Sequence, residues 1–287
     1  VAKGNRMNLF QFFIGLANEV NKSNGFNALI YQNSFLNEKT TKEARKSIFN
    51  NFKILKIDSF PERDDTKKRV FEDVKMSVCI VFLKKLQSKA YDFKLNIWNE
   101  KLMLSKNECM FNTKEIRTTF PDDLIIPLIG ENQKKIFEKI NSFKNEIQFD
   151  VKSGELDISS KKKYFTDDSC YPLVLKGAQV QKYFISKKPS QGKIEYFNID
   201  LYQEKNRLIG RLLDYKKRRL VMQRITGVDS KIRLVMTICE PGTFCSNSTN
   251  YLISPENLEY LLSIFNSKLI NYFFKLTSTN TNVTGHE

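Results

Sequence analysis

The sequence is poor in the residues that build metal sites, disulfide frameworks and nucleophilic triads. Its 287 residues include one histidine, His286, and five cysteines, and no two cysteines form a Cys-x-x-Cys pair. Because the cysteines are scattered, odd in number and never paired in this way, they argue against a disulfide framework or a structural zinc site, and we interpret them as reduced thiols in a cytoplasmic protein. One histidine near the end does not support a Ser-His or Cys-His catalytic arrangement. We predict no metal ion.

Long apolar runs are also missing. No stretch of about eighteen apolar residues could span a membrane, and no charged and then apolar leader opens the chain. The length is sufficient for two domains with buried cores. Because the chain begins at Val1 rather than Met, we expect it to be a piece of a longer protein.

Acidic residues are fewer than basic ones, and the formal net charge is +15. The excess lies in two blocks, residues 1–91 with 17 basic and 9 acidic side chains and residues 176–233 with 15 and 5. A concentrated positive field attracts a polyanion and makes its binding sensitive to salt. Nucleic acid is therefore the predicted partner, and a solvated lysine-rich surface is the alternative.

The first third of the chain has the pattern of an α/β domain. Apolar residues at helical spacing predict a helix at 9–20, and a short apolar run predicts a buried strand at 26–31. A second helix is predicted at 40–52, and strands follow at 52–60 and 76–83. Alternation of this kind is typical of a sheet covered by helices.

The remaining sequence predicts a connector and a strand-rich second domain. Residues 86–130 contain breaks at Pro121, Pro127 and Gly130. Apolar runs separated by turn residues predict strands at 172–175, 180–185, 220–225, 232–238 and 243–253. Ser254-Pro255-Glu256 predicts the start of one long amphipathic helix that continues to Phe273.

Several segments within residues 8–85 resemble one protein family. They are GFNALIYQNSFL from Gly25 to Leu36, Arg45 in a helix, the strand end Asp58-Ser59-Phe60, and FEDVKMSVCIVFLKK from Phe71 to Lys85. Together they resemble the last part of the catalytic domain in gamma-class adenine-specific DNA methyltransferases of restriction-modification systems. That group includes type IIG enzymes, in which the methyltransferase is fused to a nuclease.

Later segments resemble the target recognition domain of the same family. They are Gly154–Asp157, Leu175–Tyr183, Arg218–Gly227, Asn247–Tyr251, Tyr260–Asn271 and Thr277–Asn282. The resemblance implies the end of a Rossmann-like methyltransferase sheet followed by a mixed α/β, strand-rich recognition domain. The domains it implies are 1–95 from the catalytic domain, 96–150 as a connector and 151–287 for recognition.

The resemblance also implies S-adenosylmethionine as methyl donor and double-stranded DNA as partner. The family binds the cofactor at a Gly-containing turn and the flipped adenine at an Asn-Pro-Pro-Tyr or related loop, and this sequence has neither. By family order both should precede Val1. We therefore expect the parent protein to be the enzyme, with its cofactor site on the upstream part of the same polypeptide. This chain alone is expected to bind no cofactor and to be inactive.

Polar and basic side chains in the recognition segments are the candidate DNA contacts. Gln179, Gln181 and Tyr183 would share one face of a strand, where they could bond adenine and phosphate or pack on a neighbouring strand. The loop after residue 277 could meet the sugar-phosphate backbone or be a plain surface turn. The predicted DNA-binding residues are Lys176, Gln179, Lys182, Tyr183, Lys216, Lys217, Arg218, Arg219, Gln223, Arg224, Thr226, Asn247, Thr277, Ser278 and Asn280.

Asn33, Ser34 and Phe35 follow the strand at 26–31 at its carboxyl end. That end is the ligand-facing edge of an open α/β sheet. These residues are predicted to border the cleft for the target adenine, which must leave the base stack before its amino group is reached. A structural cap over the sheet is the alternative.

Four other functions stay open at this point. Asp64 or Asp65 with Asp73-Val74-Lys75 mimics the acidic-acidic-lysine pattern of magnesium-dependent nucleases, but it lies in a charged loop before a methyltransferase-like strand. A DNA specificity subunit without catalysis is the main alternative. An RNA-binding protein and a scaffold protein are the other two, and a scaffold predicts no salt-dependent binding of nucleic acid.

Overall fold

The structure is a computed structural model that describes residues 9–103, 106–142, 149–189, 192–226 and 231–278. The chain divides into two compact units. The first consists of Val1–Lys144 and Leu276–Thr279, and the second of Asn145–Lys275 and Asn280–Glu287. No helix among the described residues is long and apolar enough to cross a membrane.

The first unit contains a five-stranded sheet. Its strands are β1 (Phe26–Gln32), β2 (Lys53–Phe60), β3 (Val78–Lys84), β4 (Asp92–Trp98) and β5 (Lys106–Asn112), and its helices are α1 (Leu9–Val20), α2 (Lys42–Asn51), α3 (Thr113–Thr119) and α4 (Glu131–Ser142). The spatial order is β1-β3-β2-β4-β5. β3 is antiparallel to both of its neighbours, whereas β2 and β4 are parallel. This confirms the predicted α/β class.

The sheet extends further along the chain than the sequence predicted. β4 pairs with β5 from Asp92↔Asn112 to Trp98↔Lys106. Phe93 and Leu95 alternate with the more polar Lys94 and Asn96, so one face of β4 enters the core. The interpretation of 96–150 as a connector is therefore wrong for residues 96–98 and 106–112, which belong to β4 and β5.

β1 and α1 each turn an apolar face outward. The prediction of a fully buried first strand is wrong, because Phe26, Ala28 and Ile30 are exposed along one face of β1. The apolar stripe of α1 is also exposed, and only the opposite face, with Gln11 and Ile14, is buried. The exposed members of that stripe are Leu9, Phe12, Phe13, Leu16 and Val20.

The second unit is rich in short strands, as predicted. Its strands are β6 (Asp150–Ser153), β7 (Phe165–Thr166), β8 (Leu173–Leu175), β9 (Val180–Gln181), β10 (Phe184–Ile185), β11 (Tyr196–Phe197), β12 (Arg219–Gln223), β13 (Met236–Cys239), β14 (Thr243–Cys245) and β15 (Thr249–Ile253). They form one sheet in the order β13-β12-β15-β6, another in the order β14-β8-β11-β7, and the hairpin β9-β10. Two short helices are α5 (Ile158–Lys161) and α6 (Ile199–Gln203).

Two helices, α7 (Leu258–Phe265) and α8 (Lys268–Thr277), replace the single long helix that the sequence predicted. α7 is capped by Asn257, whose side chain accepts a hydrogen bond from the Tyr260 N–H at 2.8 Å, and not by Ser254. The helix is interrupted at Asn266, which is buried. The Asn266 amide bonds both backbone groups of Met236, at 3.0 and 3.2 Å, and so ties the interruption to β13.

Candidate nucleic-acid interface

The strand β12 divides the predicted basic cluster into two groups. Lys216, Lys217 and Arg218 precede the strand, whereas Arg224 and Thr226 follow it. At about 3.3 Å per residue, Arg218 and Arg224 are separated by about 20 Å of extended chain. The cluster is continuous in the sequence but contributes to two separate places in the structure.

The basic residues before β12 already have partners. Lys217 Nζ lies 2.8 Å from Asp214, and Lys216 lies over the ring of Tyr215 at 5.8 Å. Arg218 forms ion pairs with Glu240 at 3.0 Å and Glu259 at 2.6 Å. A phosphate would have to compete with these carboxylates for Lys217 and Arg218, which weakens the case for direct DNA contacts here.

Asp214 organises this end of the unit from a buried position. Burial disfavours its charged form, but hydrogen bonds from Lys217, Tyr251 and Lys152 outweigh burial and lower the pKa of Asp214. The Tyr251 hydroxyl donates at 2.9 Å and Lys152 Nζ at 3.1 Å. The carboxylate therefore serves the internal structure of the unit.

Arg219 is fully buried and does not reach a surface. Its guanidinium donates to the Glu155 carboxylate and, at 2.8 Å, to the Thr243 carbonyl oxygen, and it lies 4.3 Å from the ring centre of Tyr251. Burial opposes the charge of Arg219, but its interactions with neighbouring groups, which include the ion pair with Glu155, outweigh burial and raise its pKa. The prediction of a DNA contact by Arg219 does not fit this environment, and we exclude it from the interface.

Gln179, Gln181 and Tyr183 do not lie on the single strand that the sequence predicted for them. Gln179 is buried in a 3-10 turn, and its side chain accepts a hydrogen bond from the Lys176 N–H at 3.0 Å. Lys176 Nζ forms an ion pair with Glu195 at 2.6 Å. Gln181 then ends β9, and Lys182-Tyr183 form the hairpin turn before β10. The predicted shared face of Gln179, Gln181 and Tyr183 is therefore wrong, because a turn separates Gln179 from the hairpin.

The hairpin is bonded directly to the sheet of β12. The Gln223 amide donates to the Val180 carbonyl oxygen at 2.6 Å, and the Tyr183 N–H donates to the Met236 carbonyl oxygen at 3.0 Å. Arg224 donates to the Asn247 carbonyl oxygen at 2.9 Å. The structure thus brings predicted residues from three segments into one bonded group, which we call the hairpin surface. Its residues are Lys182, Tyr183, Phe184, Gln223, Arg224 and Asn247, together with Lys187 and Lys188, which directly follow the hairpin in the chain.

The polar side chains of this group also bond to neighbouring protein atoms. Asn247 donates to Asp157 at 3.3 Å. Thr226, just beyond Arg224, accepts a hydrogen bond from Arg233 at 3.3 Å. These contacts fix the side chains in position and leave other hydrogen-bonding capacity on Asn247 and Thr226.

The basic side chains of the hairpin surface differ from those at the other end of β12 in their ion pairing. In the part of the chain that the structure describes, no carboxylate lies within ion-pair distance of Lys182, Lys187, Lys188 or Arg224. Lys187 and Lys188 are exposed beside the hairpin, and the sequence prediction did not include them. Phe184 was also missed, because the pattern at 180–185 was interpreted as one strand rather than a hairpin. Uncompensated cations beside exposed aromatic rings suit a polyanion with stacked bases.

Asn33, Ser34 and Phe35 lie in a 3-10 turn at the carboxyl end of β1. Asn33 and Phe35 are fully buried. Asn33 accepts a hydrogen bond from the Ser59 hydroxyl at 2.9 Å, and the Phe35 carbonyl oxygen accepts one from Arg45 at 2.7 Å. A cavity of about 350 Å³ opens beside this turn, but none of the three residues lines it. This geometry contradicts an open cleft at Asn33 and Phe35 and matches the alternative, a structural cap.

Arg45 is the residue that holds this turn in place, a role that its position in a helix did not reveal. It is fully buried and donates to the carbonyl oxygens of Phe35 and Asp123 and to the Thr41 hydroxyl, at 2.6–2.8 Å. Burial disfavours the charged guanidinium and lowers the pKa of Arg45 to about 10.

The remaining predicted residues lie at the end of the described chain or beyond it. Thr277 ends α8 and is half-buried, and Ser278 is buried. Asn280 and His286 lie outside the described residues. A surface contact with DNA does not fit the burial of Ser278.

The nuclease-like pattern does not assemble into a metal site within the described ranges. Asp64 forms an ion pair with Lys75, and Asp65 lies 3.8 Å from Lys68. No group of three His, Cys, Asp or Glu side chains that could hold a metal ion occurs among the residues that the structure covers. The charged loop is held together by its own ion pairs.

Two family profiles match the chain. Residues 157–286 match the TaqI-like C-terminal specificity domain, and residues 1–66 match the Eco57I restriction-modification methylase. The predicted resemblance to a restriction-modification methylase is therefore confirmed, and the matched specificity domain falls within the predicted range 151–287. No curated protein sequence matches the chain significantly.

Similar chains among solved structures are restriction-modification enzymes. The type IIG restriction endonuclease BpuSI has a TM-score of 0.41 and 11% identity, and the match covers 93% of this chain and 39% of that enzyme. The type IIL restriction-modification enzyme MmeI, solved in complex with DNA, has a TM-score of 0.47 and 10% identity over the same shares. This chain thus spans about two fifths of the length of these two enzymes.

Proposed function

We propose that this chain, which carries the specificity domain of a restriction-modification methylase, binds double-stranded DNA through the hairpin surface. The parent protein would be an adenine-specific DNA methyltransferase of the cytoplasm. The observation that carries the proposal is the separation of charge along β12. Lys217 and Arg218 at one end are paired with carboxylates, whereas no carboxylate among the described residues lies within ion-pair distance of Lys182, Lys187, Lys188 or Arg224.

The chemistry of the hairpin surface supports this assignment. Lysine and arginine neutralise phosphates and release counterions, which supplies affinity without sequence information. Gln223 and Asn247 carry amide groups that can bond base edges, although each also serves an internal hydrogen bond. We propose Lys182, Tyr183, Gln223, Arg224, Thr226 and Asn247 as the predicted residues that meet DNA.

A salt titration of duplex binding tests the proposal. The variant Lys182→Ala/Lys187→Ala/Lys188→Ala removes three charges that have no ion pair within the described ranges, and Lys176→Ala/Lys193→Ala/Lys217→Ala removes three ion-paired charges as a matched control. Each lost phosphate contact should reduce the slope of log K against log salt by about 0.9. Loss of two or three phosphate contacts should therefore reduce the slope of the first variant by two to three times this amount. The slope of the control should change much less. Equal slopes for the two variants would contradict the proposed surface.

A competition experiment separates duplex DNA from the alternative partners. We expect a DNA duplex to displace labelled duplex more effectively than an RNA duplex of the same length at the same salt, since the A-form groove hides base edges. Preferential displacement by RNA would favour the RNA-binding alternative. Binding that does not change with salt would favour a scaffold.

We further propose that S-adenosylmethionine binds to another part of the parent polypeptide. Within the described residues, the carboxyl end of β1 is closed by the buried side chains of Asn33 and Phe35 and offers no fit for this cofactor. The cofactor would supply the methyl group for the exocyclic amine of adenine. The chain alone should then leave DNA unmethylated in an assay with labelled cofactor, and methylation by the chain alone would overturn this division of roles.

The outward apolar faces of α1 and β1 support this division. Leu16 and Phe13 on α1 are about half exposed, and Phe26 on β1 is 67% exposed. In addition, β1 lies at the edge of its sheet, so one side of its backbone pairs with no other strand in the described ranges. Exposed apolar side chains and an open strand edge are features that an adjoining part of a protein covers.

A further inference from the structure

The tip of the β9-β10 hairpin presents two adjacent aromatic side chains to solvent. Tyr183 is 56% exposed and Phe184 is 60% exposed, although large aromatic side chains are usually well buried. Lys182 Nζ lies 5.7 Å from the centre of the Tyr183 ring. The tip therefore combines flat apolar surface with positive charge, and both are accessible.

The backbone of Tyr183 has a conformation that side chains of this size rarely adopt. Its φ is +75°, a value that favours glycine. The hydrogen bond from its N–H to the Met236 carbonyl oxygen holds the turn in this conformation. Strained residues of this kind persist where the surrounding structure holds them, and they concentrate at ligand sites. Glycine would adopt this backbone conformation with less strain, so the backbone does not explain why position 183 is a tyrosine. The aromatic ring must have a role of its own.

The root of the hairpin is anchored in the core. Val180 is fully buried among apolar residues that include Val221 and Tyr251, and Ile185 packs against the same cluster. The Ser186 N–H donates to the Gln179 carbonyl oxygen at 2.8 Å, which closes the base of the hairpin. A rigid root holds the exposed rings in one orientation, so little conformational entropy is lost when they contact a ligand.

We propose that this tip is a wedge that enters duplex DNA and stacks an aromatic ring against a base. This inference rests on the proposed function, because it assumes that the chain binds duplex DNA. Apolar side chains inserted at a base step unstack and kink the duplex, and cations beside them neutralise the nearby phosphates. Tyr183 and Phe184 supply the rings, and Lys182, Lys187 and Lys188 supply the charge.

The test uses the 287-residue chain and a short DNA duplex with 2-aminopurine in place of one adenine, at a flexible TA step. The fluorescence of 2-aminopurine increases when the base leaves the stack, so it reports the wedge separately from binding. The variants are Tyr183→Gly and Phe184→Ala. The matched control is Tyr260→Ala, because Tyr260 on α7 is also an exposed aromatic residue, at 61%. Affinity is measured by anisotropy on the same duplex.

We expect the wild-type chain and Tyr260→Ala to raise the fluorescence severalfold at saturation, and Tyr183→Gly and Phe184→Ala to abolish most of that rise. Loss of one stacked base should weaken binding by about tenfold. Tyr183→Gly should keep or raise the melting temperature, because glycine accepts the positive φ. A purely structural tyrosine would instead give a lower melting temperature.

Three results would overturn the inference, and they differ in what they mean for the proposed function. If the wild-type chain binds the duplex in a salt-dependent manner but does not change the fluorescence, the wedge is wrong and the proposed function stands. The same holds if Tyr183→Gly and Phe184→Ala both keep the full rise. If the wild-type chain does not bind duplex DNA at all, the proposed function fails together with the wedge.

Discussion

Two adjacent arginines, Arg218 and Arg219, differ sharply in their surroundings. Arg219 is buried with Glu155, whereas Arg218 pairs with Glu240 and Glu259 in the solvent. Removing Arg219 leaves a buried carboxylate without its partner, so we expect Arg219→Ala to lower the free energy of unfolding by about 3–5 kcal/mol. Urea denaturation measures the loss.

Arg218→Ala is the matched control for that prediction. An exposed ion pair is screened by water and salt, so its removal should change the unfolding midpoint little. If both substitutions shift the midpoint equally, Arg219 is not buried with Glu155. DNA binding by Arg218→Ala should also stay close to that of the wild-type chain, because its charge is compensated by Glu240 and Glu259.

Asp58 makes the stability of the first unit depend on pH. Burial opposes its charge, but hydrogen bonds from Lys56, Asn96 and Trp98 outweigh burial and lower its pKa below the ordinary 3.8. A lowered pKa in the folded state stabilises the protein above pH 3.8, and this contribution is lost as the pH falls through the folded value. We expect Asp58→Asn to cost about 1.5–3 kcal/mol at neutral pH and progressively less in acid.

Trp98 provides the measurement for Asp58. It is the sole tryptophan of the sequence, and its indole N–H donates to Asp58 at 3.2 Å. Its fluorescence should therefore follow both urea unfolding and the acid titration of this carboxyl group. A cost of Asp58→Asn that stays constant from neutral pH to pH 3 would contradict the assigned role.

At the scale of elements, Gly154 shows how tightly two segments of the second unit approach each other. A Cβ atom at this position would lie 1.9 Å from the Ser246 carbonyl oxygen, and the Gly154 N–H donates to the Thr249 carbonyl oxygen at 2.9 Å. The backbone of Ser246 cannot move aside without disturbing its neighbours. We therefore expect Gly154→Ala to destabilise the chain by about 1–3 kcal/mol or more. Gly130→Ala is the control, since its nearest neighbour is a side-chain atom at 3.3 Å. Thermal unfolding compares the two, and equal midpoints would contradict the close approach at Gly154.

Elements with a clear period were predictable from the sequence, whereas their ends and breaks were not. The helix at 40–52 and the strands at 26–31, 52–60 and 76–83 appear close to their predicted positions. The break at Asn266 was missed because its cause is distant: the side chain bonds the backbone of Met236, thirty residues away. Apolar residues keep their helical spacing on both sides of Asn266, so the local sequence pattern predicts one continuous helix.

The candidate site was predictable in composition but not in geometry. Arg219 and Arg224 look alike in the sequence, and only the burial of Glu155 beside Arg219 separates a structural arginine from a candidate contact. Lys187 and Lys188 were missed because the hairpin that positions them looks like one strand. Charge pairing is a property of distant residues such as Glu240 and Glu259, which a count of basic residues cannot include.

On the scale of the whole molecule, the outward stripe of α1 predicts how the chain behaves alone and within a longer protein. Phe12 and Leu16 are about half exposed, so Phe12→Lys/Leu16→Lys should leave the unfolding midpoint of the isolated chain nearly unchanged. The same double substitution should lower self-association and the fluorescence of a bound hydrophobic dye, because it interrupts an exposed apolar patch.

Ile14→Lys on the opposite face of α1 is the control for this last prediction. Ile14 is 1% exposed, and a buried unpaired charge is costly, so this single change should destabilise the isolated chain. In a longer polypeptide that covers the stripe, Phe12→Lys/Leu16→Lys should become destabilising as well, because the same side chains would then be buried. A double variant that unfolds the isolated chain as readily as Ile14→Lys would show that the stripe is already packed within it, and the expected covering polypeptide would lose its support.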